Sequence, residues 1–303
     1  MIIKKRDSKQ KEIEELNTLL SLPLPENKRF LIERELRFIK SGDLGENDSA
    51  YFIDFHYAPS KNWAVIHDLR LKHLDRVAQI DHLLINRFFD VYVLESKNFS
   101  YAVKITGNGE FLAEYNNRYY AIESPIEQNN RHILVLEKIM KQYEIMPTRL
   151  GVTITPKFRP YVMVASKARV IRPSKDRFDT SMVIKADTLP TTIEKVVDAM
   201  PHLAVLTTAS KMSSTDTLKK VATRLAALHK PIKIDYRKRF GIEDEAPAKQ
   251  SSSRSTGVEK QGRFYCSKCE KTITEKIAKF CWDNKRRFGG KAYCLICQKT
   301  FLK

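Results

Sequence analysis

The amino-acid sequence predicts an α/β protein, a mixed β-sheet flanked by helices, followed by a small cysteine-rich module. Three observations carry this expectation. Helical patterns come first, then a run of short strands, then alternating helices and strands, an order that builds a mixed sheet covered by helices. Residues 241–262 lose the hydrophobic pattern and place Ser251-Ser252-Ser253 among many charges, the composition of a flexible linker. All five cysteines lie beyond that stretch.

Ile13, Leu16 and Leu20 recur at helical spacing before a break at Pro23 and Pro25. A second helix runs through Leu31, Leu36 and Ile39 and ends at Ser41-Gly42; a third starts at Gly45, with Glu46, Ala50 and Ile53 on one face. Strands are predicted over 64–67, 77–85 and 91–96, the last two joined by a turn over 86–90. Gly107-Asn108-Gly109 and Asn116-Asn117 are turn signals that delimit two further short strands. Ser124-Pro125-Ile126-Glu127 opens a helix, with a serine cap, proline at the first helical position and glutamate three residues after the cap. Its buried stripe is Ile126, Ile133, Leu136 and Met140. Strands over 161–165 and 182–184, a helix over 191–200 and a last helix carrying Leu218, Val221, Leu225 and Leu228 follow. The expected organisation is a helical lead (1–40), an α/β body (41–240), the linker (241–262) and the cysteine module (263–303).

The chain has 54 Lys and Arg against 36 Asp and Glu, a net charge of +18. From Lys230 onward, 19 basic residues face 8 acidic ones, so the excess is concentrated in the tail. A basic tail favours a polyanionic partner, nucleic acid ahead of a membrane surface. The longest apolar run, 292–297, is far too short for a membrane-spanning helix. The polar start, Met1 to Asp7, has no apolar signal-peptide region, so a soluble, cytoplasmic protein is expected. Neither the G-x-x-x-x-G-K-[ST] phosphate loop nor the G-x-S-x-G nucleophile elbow occurs.

Cys266-x2-Cys269 and Cys294-x2-Cys297 form two pairs, each able to place two thiolates on one Zn²⁺, and together they complete a tetrahedral Cys₄ site. Clustering in one short segment and an odd count argue against a disulfide framework. Such a module is too short for a core of its own, so metal binding supplies most of its folding energy. Cys281, in Phe280-Cys281-Trp282, is expected to be a packed thiol rather than a ligand. Lys285, Arg286, Arg287 and Lys291 would meet phosphates, and Trp282 would stack on unpaired bases. The competing reading is the solvated face of a zinc ribbon that touches protein.

Asp81 lies in Gln79-Ile80-Asp81-His82-Leu83-Leu84-Ile85, and Glu95-Ser96-Lys97 closes the next strand. Two-residue periodicity puts Glu95 and Lys97 on one face, and a hairpin brings Asp81 alongside. Carboxylates at the end of an apolar strand are costly unless paired or metal-bound. Metal-assisted phosphodiester hydrolysis uses such a set. Asp81 and Glu95 would hold Mg²⁺ (or Mn²⁺), and Lys97 would orient water or neutralise developing charge. On periodicity alone, a structural ion pair between Glu95 and Lys97 explains the pattern equally well. His82 points to the opposite strand face, and His67-Asp68 shows no pairing logic.

Gln79 to Ile85, Val93-Leu94-Glu95-Ser96-Lys97-Asn98 and the upstream Gly45-Glu46 resemble the nuclease-related domain (NERD) family of the PD-(D/E)XK nuclease superfamily, over roughly residues 40–140. The resemblance implies a restriction-endonuclease-like core. It matches Glu46 to the acid of the first core helix, Asp81 to the strand aspartate, Glu95 and Lys97 to the E-x-K pair, and Gln128 to a glutamine on the following helix. Ile80 stands where the motif's name has proline, and Glu35 is a second candidate for the helix acid, with a solvated helix face as its simpler explanation. The segment from Phe288 to Cys294 is similar to zinc fingers that follow type I topoisomerases. Together these imply a Mg²⁺-dependent nuclease with DNA as the favoured substrate, the alternative being a non-catalytic DNA-binding or repair-scaffold protein. Partners in DNA repair or mobile elements are left open by the sequence.

Overall fold

A six-stranded mixed sheet lies at the centre of the first of two units, Met1–Glu243 and Asp244–Lys303. The structure, a computed structural model, describes residues 1–198, 212–242, 264–269, 271–298 and 301. β1 (Ile2–Lys4), α1 (Gln10–Leu20) and α2 (Glu26–Tyr57) precede an antiparallel meander of β2 (Trp63–His73), β3 (Arg76–Asn86) and β4 (Asp90–Lys97). A second meander, β5 (Ala102–Ile105), β6 (Phe111–Tyr115) and β7 (Arg118–Ile122), leads into α3 (Pro125–Gln142). The small hairpin β8 (Thr148–Arg149) and β9 (Val152–Thr153) comes next, then β10 (Lys157–Val164), β11 (Arg169–Ile171) and β12 (Val183–Lys185). α4 (Leu189–Asp198), α5 (Thr215–Ala226) and α6 (Tyr236–Arg239) complete the unit.

The central sheet runs β1-β2-β3-β4-β10-β12, and a smaller one runs β11-β5-β6-β7. Pairing is parallel between β1 and β2, β4 and β10, and β10 and β12, which makes the central sheet mixed, as predicted. Both its faces are covered. Leu83, Ile85 and Val93 pack with Leu136 of α3 and Leu225 of α5. The alternate residues Leu84, Tyr92 and Leu94 pack with Ile53 of α2 and Ile193 of α4. Strands buried on both faces read as continuous apolar runs, as β3 and β4 do. Each such side chain stabilises the fold by about 1.5–3 kcal/mol.

The Ser124 cap forms as expected: its side chain accepts from the Glu127 N–H, and Pro125 occupies the first turn. The strands expected over 161–165 and 182–184 correspond to β10 and β12, and the helix over 191–200 to α4; its last two positions, and the linker from residue 243 on, lie outside the described residues. β1 has no sequence signal, because three residues are too few to establish an alternation.

The predicted interruption at Ser41-Gly42 does not occur. α2 runs unbroken for 32 residues, and the expected boundary at residue 40 falls inside it. A helical glycine costs about 1 kcal/mol, whereas Ile32 and Leu36 before the glycines and Ala50 and Ile53 after them are all buried. Tertiary packing therefore outweighs the local preference. Gly45 has a positive role: a Cβ there would lie 2.5 Å from Asn98 Cβ, so its absence lets α2 approach the end of β4. Gly42 has nothing within 4 Å of the corresponding point. Alanine should therefore act oppositely at the two sites in urea unfolding. Gly45→Ala is expected to destabilise by about 1–3 kcal/mol, and Gly42→Ala to stabilise by about 0.5–1 kcal/mol.

In the second unit, β13 (Phe264–Tyr265) and β14 (Thr272–Ile273) pair antiparallel, followed by α7 (Glu275–Asp283), α8 (Lys285–Phe288) and α9 (Leu295–Gln298). The expectation that the module lacks a core of its own does not hold: Ile273, Ala278, Cys281 and Phe288 form a small one, which packs together with the ligand-type residues Cys266 and Cys297. Gly289, at φ +59°, closes α8 in the left-handed conformation that glycine adopts without strain. Among the described residues, no helix is long and apolar enough to cross a membrane.

Candidate active site and metal centre

The β3–β4 register brings the predicted residues together. The last pair is His82 with Leu94, so Asp81 lies opposite Glu95 one step further on. The Ser96 N–H donates to Asp81 Oδ2 at 2.7 Å, tying the two strand ends together. Lys97 Nζ donates to Glu95 Oε1 at 2.7 Å and to Gln128 Oε1 at 3.0 Å. α3 is held in place by Asn129, whose Nδ2 donates to the carbonyls of Val93 (2.8 Å) and Tyr161 (3.0 Å). That clamp on β4 and β10 aims Gln128 and His132 at the strand ends.

Glu95 is buried, and its Oε2 has no hydrogen-bond partner among the described residues. His132 Nδ1 lies 3.5 Å away and is likewise unpartnered. An orphaned carboxylate oxygen beside the Asp81 carboxylate is a donor set of the hard-oxygen type that Mg²⁺ or Mn²⁺ takes. Asp81 and Glu95 therefore fit a divalent cation.

Glu46 reaches the site from α2 and is occupied by Arg6, whose guanidinium lies 2.6 Å from its Oε2 and 2.9 Å from Asp43 Oδ1. Asp68, 4.0 Å from Arg6, completes this group and accepts from the Asp7 N–H at 2.8 Å. Asp68 breaks the β2–β3 ladder at φ +49°, a conformation aspartate tolerates better than most residues. The three carboxylates Glu46, Asp81 and Glu95 do not close to within 4.8 Å of one another; among the described residues only the cysteines do so.

Burial and the charges of Glu95 and Glu46 raise the Asp81 carboxyl well above the usual range, against the Ser96 N–H and the Lys97 ammonium. Glu46 is raised by burial and by Asp68, with Arg6 opposing. A carboxyl raised in the fold takes up protons on folding. Its contribution is complete below its unfolded value of about 4 and is lost as pH rises through the folded value. The metal-free protein should thus lose melting temperature as pH rises above the unfolded carboxyl value of about 4, and Asp81→Asn should flatten that slope. A divalent cation should raise the melting temperature more at higher pH, since it competes with fewer protons.

Sequence reasoning missed Arg6, Asp68 and His132. His132 follows Gln128 by one helical turn on α3, a spacing that could have signalled it. Arg6 and Asp68 carry no local signal. Glu35, the second candidate for the helix acid, pairs instead with Arg239 at 2.8 Å. His67 and His82 contact each other, Nδ1 to Nδ1 at 2.7 Å, with Asp54 3.0 Å from His67 Nε2. Burial lowers both rings, so they form a neutral pair on the face away from Asp81.

The sulfurs of Cys266, Cys269, Cys294 and Cys297 all lie within 4.8 Å of one another. Cys269 and Cys294 are 3.7 Å apart, close to the roughly 3.8 Å edge of a tetrahedron with 2.3 Å Zn–S bonds. The donor set fits Zn²⁺. Cys281 stands apart, buried, its sulfur 3.4 Å from the Tyr293 N–H and 3.3 Å from Gln298 Nε2. Trp282, Lys285, Arg286 and Arg287 line one shallow depression, and Arg287 lies over the Phe288 ring. Lys291 is exposed beyond α8.

Residues 41–164 match the nuclease-related domain (NERD). The NERD span contains Glu46, Asp81, Glu95, Lys97 and Gln128, whereas Arg6 and the cysteine module lie outside it. It begins within α2 and ends with β10, so it takes in the meander, the second sheet's hairpins and α3. A nuclease-like function follows from that match at the level of the domain. No curated relative and no solved structure matches the chain.

Proposed function

We propose that the protein is a metal-dependent nuclease that hydrolyses phosphodiester bonds of DNA, held on its substrate by the basic cysteine module. The supporting observation is the Lys97 ammonium, shared between Glu95 and Gln128 beside Asp81, with one Glu95 oxygen left free. A divalent cation on Asp81 and Glu95 would polarise the phosphate and make bound water more acidic. Lys97 supplies positive charge where the phosphate gains negative charge, and Gln128 holds that ammonium in place. Water adds to phosphorus and gives up a proton to solvent, the bond to the leaving deoxyribose oxygen breaks, and that oxygen takes up a proton from solvent. Lys285, Arg286, Arg287 and Lys291 neutralise backbone phosphates, and Trp282 stacks on an unpaired base.

One observation favours a second reading. Arg6 already neutralises Glu46 at 2.6 Å, which leaves two carboxylates where a full site would use three. A non-catalytic DNA-binding protein would tolerate that arrangement. Single-stranded, duplex and flap DNA incubated with the protein and Mg²⁺ or Mn²⁺ separates the two. Cleavage that EDTA abolishes supports the nuclease. Binding without cleavage on every substrate supports the scaffold.

A further inference from the structure

α2 has a second pattern on the face it turns to solvent. Positions 30, 34, 37, 41, 44, 48, 51 and 55 follow one another at alternating steps of four and three residues. This is the 3.5-residue period of a two-helix seam, not that of an isolated helix face. Phe30, Leu44, Tyr51 and Phe55 on this stripe are 55%, 66%, 63% and 67% exposed. Single exposed apolar residues are ordinary, but a stripe of them at seam spacing is not.

The stripe is complementary to its own reverse. Turning α2 end over end about the point between Gly42 and Asp43 sets Phe30 against Phe55, Arg34 against Tyr51, Arg37 against Asp48 and Ser41 against Leu44. These are an apolar pair, a guanidinium over an aromatic ring, an ion pair, and a small residue against a large one. The two halves of the helix also differ in charge. Residues 26–40 hold five basic and three acidic residues, and residues 43–57 hold four acidic and none of Lys or Arg. Antiparallel pairing puts the basic half on the acidic half, whereas parallel pairing puts like on like. A nucleic-acid strand along the stripe would meet the acidic half and be repelled.

Within one helix, Arg37 and Asp48 are eleven residues apart, about 16 Å, and cannot satisfy each other. Neither Arg34 nor Arg37 has a partner among the described residues. Asp48 is half-buried, 3.5 Å from the Ser166 N–H, and its charge acts on Lys185 without a direct ion pair. We propose that α2 is the seam of a homodimer, two copies pairing antiparallel about a two-fold axis at residues 42–43. Such an interface is isologous, so each contact occurs twice.

Analytical ultracentrifugation of the full chain from about 1 to about 100 µM tests this. The expected result is a rise from 35.1 kDa to twice that mass. Arg37→Asp and Asp48→Arg each set like charges against each other twice, and each should raise the dimer dissociation constant about tenfold or more. The double variant re-pairs them with reversed signs and should return to within about threefold of wild type. Phe55→Ala should weaken the dimer without lowering the melting temperature of the monomer. A single 35.1 kDa species at every concentration overturns the proposal. So does a dimer indifferent to the single changes, or one that the double change fails to restore.

Discussion

Lys97→Ala is expected to lower metal-dependent DNA cleavage by about 10²–10³-fold, the usual cost of removing one preorganised charge from a transition state. The geometry gives the reason. The ammonium is held by two acceptors at 2.7 and 3.0 Å, so it is aimed before substrate arrives. Glu95→Gln should be at least as damaging, because it removes a candidate metal oxygen and leaves Lys97 facing an amide. Gln128→Ala should cost less, about tenfold, since it loosens Lys97 without removing it. Single-turnover cleavage of duplex and single-stranded DNA, with binding measured in parallel, checks all three. A Lys97→Ala protein that cuts like wild type would reduce the Glu95–Lys97 contact to a structural ion pair, and its effect would then appear only in the melting temperature.

The second large effect is expected from the cysteine cluster. Wild-type protein should carry about one zinc per chain, and joint Cys266→Ser and Cys294→Ser substitution should remove it. Structural zinc binding is worth about 10–16 kcal/mol. The module's small core, itself including Cys266 and Cys297, cannot replace that. Hydrogen exchange over residues 264–298 should therefore become fast throughout. Melting of the first unit, with its own core, should be unchanged. The salt dependence of DNA affinity should also flatten, by about 0.9 in log–log slope for each phosphate that the unfolded module no longer neutralises. A zinc-free protein that keeps slow exchange over α7 would sink the metal reading. An unchanged salt slope would move the DNA-binding surface onto the first unit.

Much of the candidate site is legible in short stretches of sequence. Two-residue alternation in β4 puts Glu95 and Lys97 on one face, the turn over 86–90 folds Asp81 back beside them, and the Ser124 cap starts the helix that presents Gln128. The two Cys-x2-Cys pairs announce their own assembly, and the sulfurs meet. All of these are short-range patterns, in which neighbouring residues determine direction through backbone geometry alone. The tertiary structure decided the rest. It kept α2 continuous through two glycines, because buried side chains on both sides outweigh a local preference worth about 1 kcal/mol each. It set Arg6 on Glu46 and left His132 3.5 Å from Glu95, contacts that join residues 40 and 37 positions apart. Such contacts depend on how whole elements stack, and no local periodicity encodes that. Residue types and their directions were determined by the sequence itself; which charges meet, and so which carboxylates stay free for a metal, was determined only by the packing of helices against the sheet.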